Sequence, residues 1–205
     1  MTSKHRSDAE LQPRAPQRRS GHDRVAALLD AAAAVFVERG YEVATMTEVA
    51  SRAGASIGSL YQFFPTKPVL AEALHLRELG ALTAALESSP VSTPETLAAT
   101  ADRLFDRLMT FSAERPVFPL LAERRDIAPD RKAKTRAEMR ASIASLLLQA
   151  HPAPTASRAA SAAALLLVLM KAAVSLRVEA SPGWEDLVLE LRSMLRDRLA
   201  DPVRS

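Results

Sequence analysis

Three side chains that cap helices, Thr45, Ser56 and Thr66, stand so close together that the chain between them has room for only two very short helices. Thr45-Met46-Thr47-Glu48 has the pattern of a capping box, in which the threonine oxygen accepts a backbone N–H and the glutamate reaches back to the cap. This predicts a helix over about 46–53, ended by Gly54. Ser56 then caps a helix running to about residue 64, Pro65 interrupts it, and Thr66 caps a longer one. Upstream, Leu28, Ala32, Val35 and Phe36 repeat at helical spacing from about residue 23 until Gly40, a residue that tolerates the left-handed turn ending a helix.

The remaining chain reads as longer helices over roughly 94–114, 117–125, 131–150, 155–179 and 184–199, separated mostly by prolines. No segment sustains period-two alternation, and six glycines are too few for a hairpin-rich architecture, so the expected fold class is all-α. There is no internal repeat and no heptad run long enough for an extended coiled coil. Residues 1–20 mix prolines, serines and scattered charge with almost no apolar side chains, and are expected to be a disordered basic arm. The expected division is therefore an arm over 1–20, a small helical head over 21–68 and a larger helical domain over 69–205.

Composition excludes several classes of function. A chain of 205 residues is long enough to bury a core without metal or disulfide support. It has no cysteine, hence no disulfide framework, thiolate zinc site or cysteine nucleophile. His5, His22, His75 and His151 are not paired with one another or with carboxylates at metal-ligand spacing, so no metal and no cofactor are expected. No glycine-rich phosphate loop or catalytic set suggests an enzyme. The apolar stretch 159–170 is shorter than the roughly 20 residues of a membrane span, and the N-terminus lacks the apolar run of a secretory signal, so a cytoplasmic location is expected. The net charge of +3 permits nucleic-acid binding without arguing for it.

The two short helices carry the functional signal. Ala50 and Gly54, four apart across the tight turn, allow close crossing, and Val49, Ala53, Leu60 and Phe63 are the apolar positions that would lock the pair onto a support helix. At about 100° per residue, Leu60, Phe63, Phe64 and partly Ile57 face inward, leaving Gly58, Ser59, Tyr61 and Gln62 outward. That uncharged face suits a major groove: Gly58 allows close approach, while Gln62 and the serines can hydrogen-bond to base edges. A solvated face would more often carry lysine and glutamate.

The stretch ThrMetThrGluValAlaSerArgAlaGly followed by AlaSerIleGlySerLeuTyrGlnPhePheProThrLys resembles the DNA-binding module of tetracycline-repressor-like (TetR family) transcriptional regulators, over about Leu28 to Leu70. The resemblance implies phosphate contacts from Thr45, Tyr61 and Lys67, and base reading by Ser56, Ile57, Gly58, Ser59 and Gln62. Many members carry a basic residue where Ile57 stands, so contact with a thymine methyl would replace a charged contact there. It also implies that the larger domain binds a small effector and pairs two subunits of a bacterial repressor. Candidate effector-lining residues are Phe105, Met109, Phe118, Leu121, Met139, Ile143, Met170 and Val174, although an apolar set at helical spacing is first of all core. Leu165, Val168, Ala172 and Leu176 form one stripe and Trp184, Leu187, Leu191 and Leu195 another. Periodicity alone leaves it open whether these stripes face the chain's own core or a second copy; the resemblance implies a homodimer. The expected function is a repressor released from operator DNA by an effector, the competing reading being a DNA-binding protein whose larger domain serves only dimerisation or protein contact.

Overall fold

The computed structural model describes residues 17–88, 94–122, 124 and 129–200; residues 1–16, most of the stretch read as a disordered arm, lie outside them. The described residues form nine helices and no strand. The helix α1 (Gln17–Arg39) begins inside the stretch read as an arm and ends at Gly40, whose φ of 77° is the left-handed turn expected there. After it come α2 (Met46–Arg52), α3 (Ile57–Phe63) and the long α4 (Lys67–Glu87). The remaining helices are α5 (Leu97–Glu114), α6 (Val117–Ala122), α7 (Pro129–Leu147), α8 (Ala156–Val178) and α9 (Trp184–Ala200).

Local chemistry fixes the starts of the short helices. Thr45 and Glu48 form the complete capping box, Ser56 accepts the Ser59 N–H at 3.1 Å, and Thr66 accepts the Val69 N–H at 3.3 Å. The turn between α2 and α3 needs Gly54, whose φ of 62° strains any side chain, and it closes with the Ala55 N–H on the Ala50 carbonyl at 3.0 Å.

Apolar burial divides into two clusters. The first joins Leu28, Ala32, Val35 and Phe36 of α1 to Val49 and Ala50 of α2, Leu60 of α3, Phe64, and Leu70 and Leu74 of α4. Val117 and Leu121 of α6 belong to this same cluster, although they lie more than forty residues beyond α4's contribution. The second gathers the rest of α4 from Leu82 onward with α5, α7, α8 and α9. The helix α4 thus runs through both. By length and composition alone α8 could cross a membrane once Lys171 is admitted, which the shorter charge-free stretch did not suggest. Its residues Ala159, Ala162, Ala163, Leu166, Met170, Ala173 and Val174 are instead buried against neighbouring helices.

Candidate nucleic-acid interface and ligand cavity

In the head, α1 is the platform on which α2 and α3 are held. Arg52 makes a two-pronged ion pair with Glu38 of α1, and that hydrogen bonding holds the Glu38 carboxyl below its ordinary range. The Glu48 carboxyl is lowered too, first by the backbone N–H of Thr45 and then by its hydroxyl. Both carboxylates therefore keep their charge to a lower pH than an unpartnered glutamate.

The helix α3 presents Ile57, Gly58, Tyr61 and Gln62 to solvent, with Tyr61 48% exposed, and a Cβ added at Gly58 would meet nothing within 4 Å. This is an open, uncharged strip on a rigid support. Ser56 stands exposed at its start, its oxygen engaged in the cap. Two expectations for this helix need correction. The Ser59 hydroxyl is buried and has no hydrogen-bond partner, because the residue sits on the shoulder of the helix above the core, so it does not face the strip. Phe63 is 37% exposed, since Leu60 and Phe64 already fill the inward face.

Thr45 and Lys67 also differ from the simple picture of phosphate ligands. The Thr45 hydroxyl accepts from the Glu48 N–H at 3.2 Å and donates to the Glu48 carboxylate at 2.9 Å. The Lys67 ammonium donates to the carbonyls of Tyr41, Glu42 and Ala44 at 2.8, 2.9 and 2.9 Å, and lies 4.8 Å from the centre of the Tyr41 ring. An ammonium has three N–H donors, so all of them are spent on the turn between α1 and α2. Lys67 is thus a structural cation that clamps this turn, and a phosphate contact would require it to give up one of these bonds.

The larger region holds a cavity of about 530 Å³ bounded by α4, α5, α6, α7 and α8. Among the expected lining residues, Phe118, Met139, Met170 and Val174 face it. Phe105, Met109 and Ile143 do not line it; Phe105 and Ile143 are buried in the second core, and Met109 packs against it. Leu121 is a correction of a different kind, because it is fully buried in the head's core, on the opposite side of α6. Residues not anticipated from sequence include His75, stacked on Phe118 with ring centroids 6.2 Å apart, and the cations Arg136, Arg140 and Lys171. One signal for them was present: Lys171 is the only charge between Arg158 and Arg177 in an otherwise apolar helix.

The two candidate dimer stripes separate on inspection. Ala172, Leu176, Leu187 and Leu191 line one groove between α8 and α9, and Trp184 is half-buried at the start of α9. Leu165 packs against the second core, and Val168, 66% exposed, stands at the cavity wall. Leu195 is buried in the chain's own core, because its position on α9 turns inward toward α5 and α8, and it is unavailable to a second copy. Among the described residues no group of three or more His, Asp or Glu side chains could hold a metal.

Comparison with known proteins agrees with this geometry. Residues 28–74 match the model for bacterial regulatory proteins of the tetR family. No curated protein matches the chain. Among solved structures, a TetR-family transcriptional regulator from Streptomyces coelicolor is similar at 24% identity, with 86% of this chain and 98% of that one covered and a TM-score of 0.63. The transcriptional regulator FadR from Bacillus subtilis, in complex with stearoyl-CoA, is similar at 14% identity, with 83% and 96% covered and a TM-score of 0.67. The fatty acid degradation regulator FadR from Bacillus halodurans is similar at 15% identity, with 94% and 99% covered and a TM-score of 0.66. Residues 28–74 thus carry the DNA-binding head of the tetR family of bacterial regulatory proteins, and the chain shares the fold of these regulators over most of its length.

Proposed function

We propose that this protein is a cytoplasmic repressor that occupies its operator as a dimer and leaves it when a small molecule enters the cavity. In this reading the head, residues 21–68, carries recognition. Ile57, Gly58 and Gln62 read base edges, Ser56 opens the reading helix, and Tyr61 contacts phosphate. The groove between α8 and α9 pairs two copies, giving two α3 helices about 34 to 36 Å apart on successive major grooves.

The observation that carries release is the double allegiance of α6. Val117 and Leu121 sit in the head's core, while Phe118, Pro119 and Ala122 of the same helix face the cavity. Just beyond, Arg124 lies 4.0 Å from the centre of the Tyr41 ring and pairs with Glu42 at 2.7 Å, gripping the turn that Lys67 clamps. A ligand that displaces Phe118 must therefore move a helix wedged against α1 and α4. A coupling of about 1 to 3 kcal/mol, roughly five- to 150-fold in affinity, makes such a wedge a useful switch. The FadR relative that binds stearoyl-CoA is consistent with a larger region that accommodates a ligand.

The test is enrichment of genomic DNA by the full-length protein, followed by footprinting of the best site. An inverted repeat with half-sites about one helical turn apart is expected, with affinity falling about 10³-fold or more between 50 and 200 mM salt if six or more phosphates are contacted. No enrichment at low salt refutes the operator reading, and a flat salt response refutes the phosphate contacts.

A further inference from the structure

The cavity has a chemical bias that its volume does not convey. Its interior wall is apolar, formed by Leu79, Leu82, Leu108, Phe118, Met139 and Met170. Every fully charged side chain in its lining is a cation: Arg136 and Arg140, one turn apart on α7, and Lys171 on α8. All three are exposed, and no described residue forms an ion pair or hydrogen bond with them.

This is unlike the arginines elsewhere in the same region. Arg192 is spent on Asp102 and Asp106, Arg103 on Glu95, Arg115 on Glu78, and Arg177 on the carbonyl and hydroxyl of Ser112. A solvated helix face would ordinarily intersperse carboxylates, as α7 itself does on another face, where Lys134 pairs with Glu138, which is absent from the cavity lining. Three unspent cations beside a cavity of drug-sized volume, with no carboxylate among the lining, form a surface complementary to a molecule that is apolar along its body and negative at its head.

Resting on the reading of this cavity as the effector site, we infer that the ligand is an amphipathic organic anion, its apolar body against the methionines and Phe118 and its acidic head against Arg136, Arg140 and Lys171. The arginines supply paired N–H donors to an oxyanion, and the lysine a point charge. The acidic head could be a free carboxylate or the phosphates of a thioester carrier, and the two are separable by experiment.

The experiment is calorimetric titration of the full-length protein with four probes sharing one chain: dodecanoate, dodecanol, dodecyltrimethylammonium and dodecanoyl-CoA. Each is also titrated into the double variant Arg136→Gln, Arg140→Gln, whose substitutions lie on an exposed helix face and whose folding is checked by thermal melting. Dodecanoate is expected to bind at least about tenfold more tightly than dodecanol, and the variant to narrow that gap to about threefold or less. Tighter binding of dodecanoyl-CoA with the same loss in the variant supports a phosphate head; tighter binding of the free acid supports a carboxylate. Equal binding of dodecanol, preference for the ammonium, an unchanged gap in the variant, or no binding by any probe overturns the inference. Operator affinity is followed in parallel, because dodecanoate that binds selectively without loosening the DNA defeats the release reading while leaving the ligand class standing.

Discussion

Hydrogen bonds spanning three residues hold the head in shape, as Thr45 with Glu48, Ser56 with Ser59 and Thr66 with Val69. The cavity is closed instead by side chains from five helices, from His75 on α4 to Val174 on α8. The helix starts of the first are set by neighbours in the chain, although its core also takes in Val117 and Leu121 of α6. The second exists only when the whole bundle is packed, and a change anywhere in that packing can alter it. The starts of the head's short helices are thus fixed by local hydrogen bonds, while the shape of the cavity is fixed by contacts among five helices.

The largest expected effect tests the rigidity of the head. Phe36 is fully buried, with its ring 5.3 Å from that of Tyr41 in an edge arrangement, and it fills the space between α1 and the turn that follows. Phe36→Ala is expected to cost about 3 to 5 kcal/mol in urea denaturation, while Val168→Ala, at the exposed cavity wall, changes stability by less than about 0.5 kcal/mol. A loss below about 1 kcal/mol at Phe36 would show that the head is looser than its packing implies.

The seam between the two regions carries the next effect. Glu78 of α4 is almost completely buried and pairs with Arg77 at 3.2 Å and with Arg115 at 2.9 Å, while Arg77 reaches Asp30 of α1 at 2.6 Å. One buried carboxylate thus ties α4 to the α5–α6 link, and through Arg77 to α1. Glu78→Gln should cost about 1.5 to 3 kcal/mol, the usual worth of hydrogen bonds to charged groups. It should also reduce the change in operator affinity that a cavity ligand produces. Loss of stability with undiminished ligand response would mean that this network braces the seam without transmitting across it.

The contrast between the regions also explains what could be read from the sequence. The caps, the Ala50–Gly54 crossing and the buried face of α1 through Leu28, Ala32, Val35 and Phe36 are local patterns, and a helix-turn-helix follows from them, its family coming only from the resemblance of the motif. Ser59 escaped because a rotation of some tens of degrees on a seven-residue helix decides whether a hydroxyl meets solvent or the core, and periodicity does not resolve that. Lys67 escaped because its partners are carbonyls 23 to 26 positions earlier, and backbone acceptors leave no mark in a sequence. In the larger region apolar spacing marked helices correctly but could not say which apolar face meets which neighbour. Leu121 and Leu195 were therefore assigned to surfaces that the packing denies them.

The corrected view of α3 yields a paired prediction. Gln62→Ala should lose about 1 to 3 kcal/mol of discrimination at one base position, measured by competition among operator variants. Ser59→Ala should leave operator affinity within about twofold and stability unchanged or slightly higher, because its hydroxyl is buried without a partner. Equal relaxation at every position in Gln62→Ala would refute its reading role, and a clear loss of DNA binding in Ser59→Ala would return Ser59 to the reading face.

The smallest expected effect concerns the larger region alone. Asp102 on α5 accepts from Arg192 and, at 2.9 Å, from Arg196, both on α9, and the hydrogen bonding from Arg192 above all holds its carboxyl below the ordinary aspartate value of about 3.9. A carboxylate depressed in the folded state stabilises that state above the unfolded value, and the contribution is lost as the pH falls from about 4 through the lower folded value. The pairs are partly open to solvent, so Asp102→Asn should cost only on the order of 1 kcal/mol at neutral pH. Parent and variant should then converge as the pH drops through that lower folded value, read as urea midpoints. A constant difference across that range would mean that Asp102 acts by shape and not by charge. The tie between α5 and α9 would then be a packing contact of the same kind as the core beneath it, and the acid stability of the molecule would have to be sought in the head, in Glu48 of the capping box and Glu38 paired with Arg52.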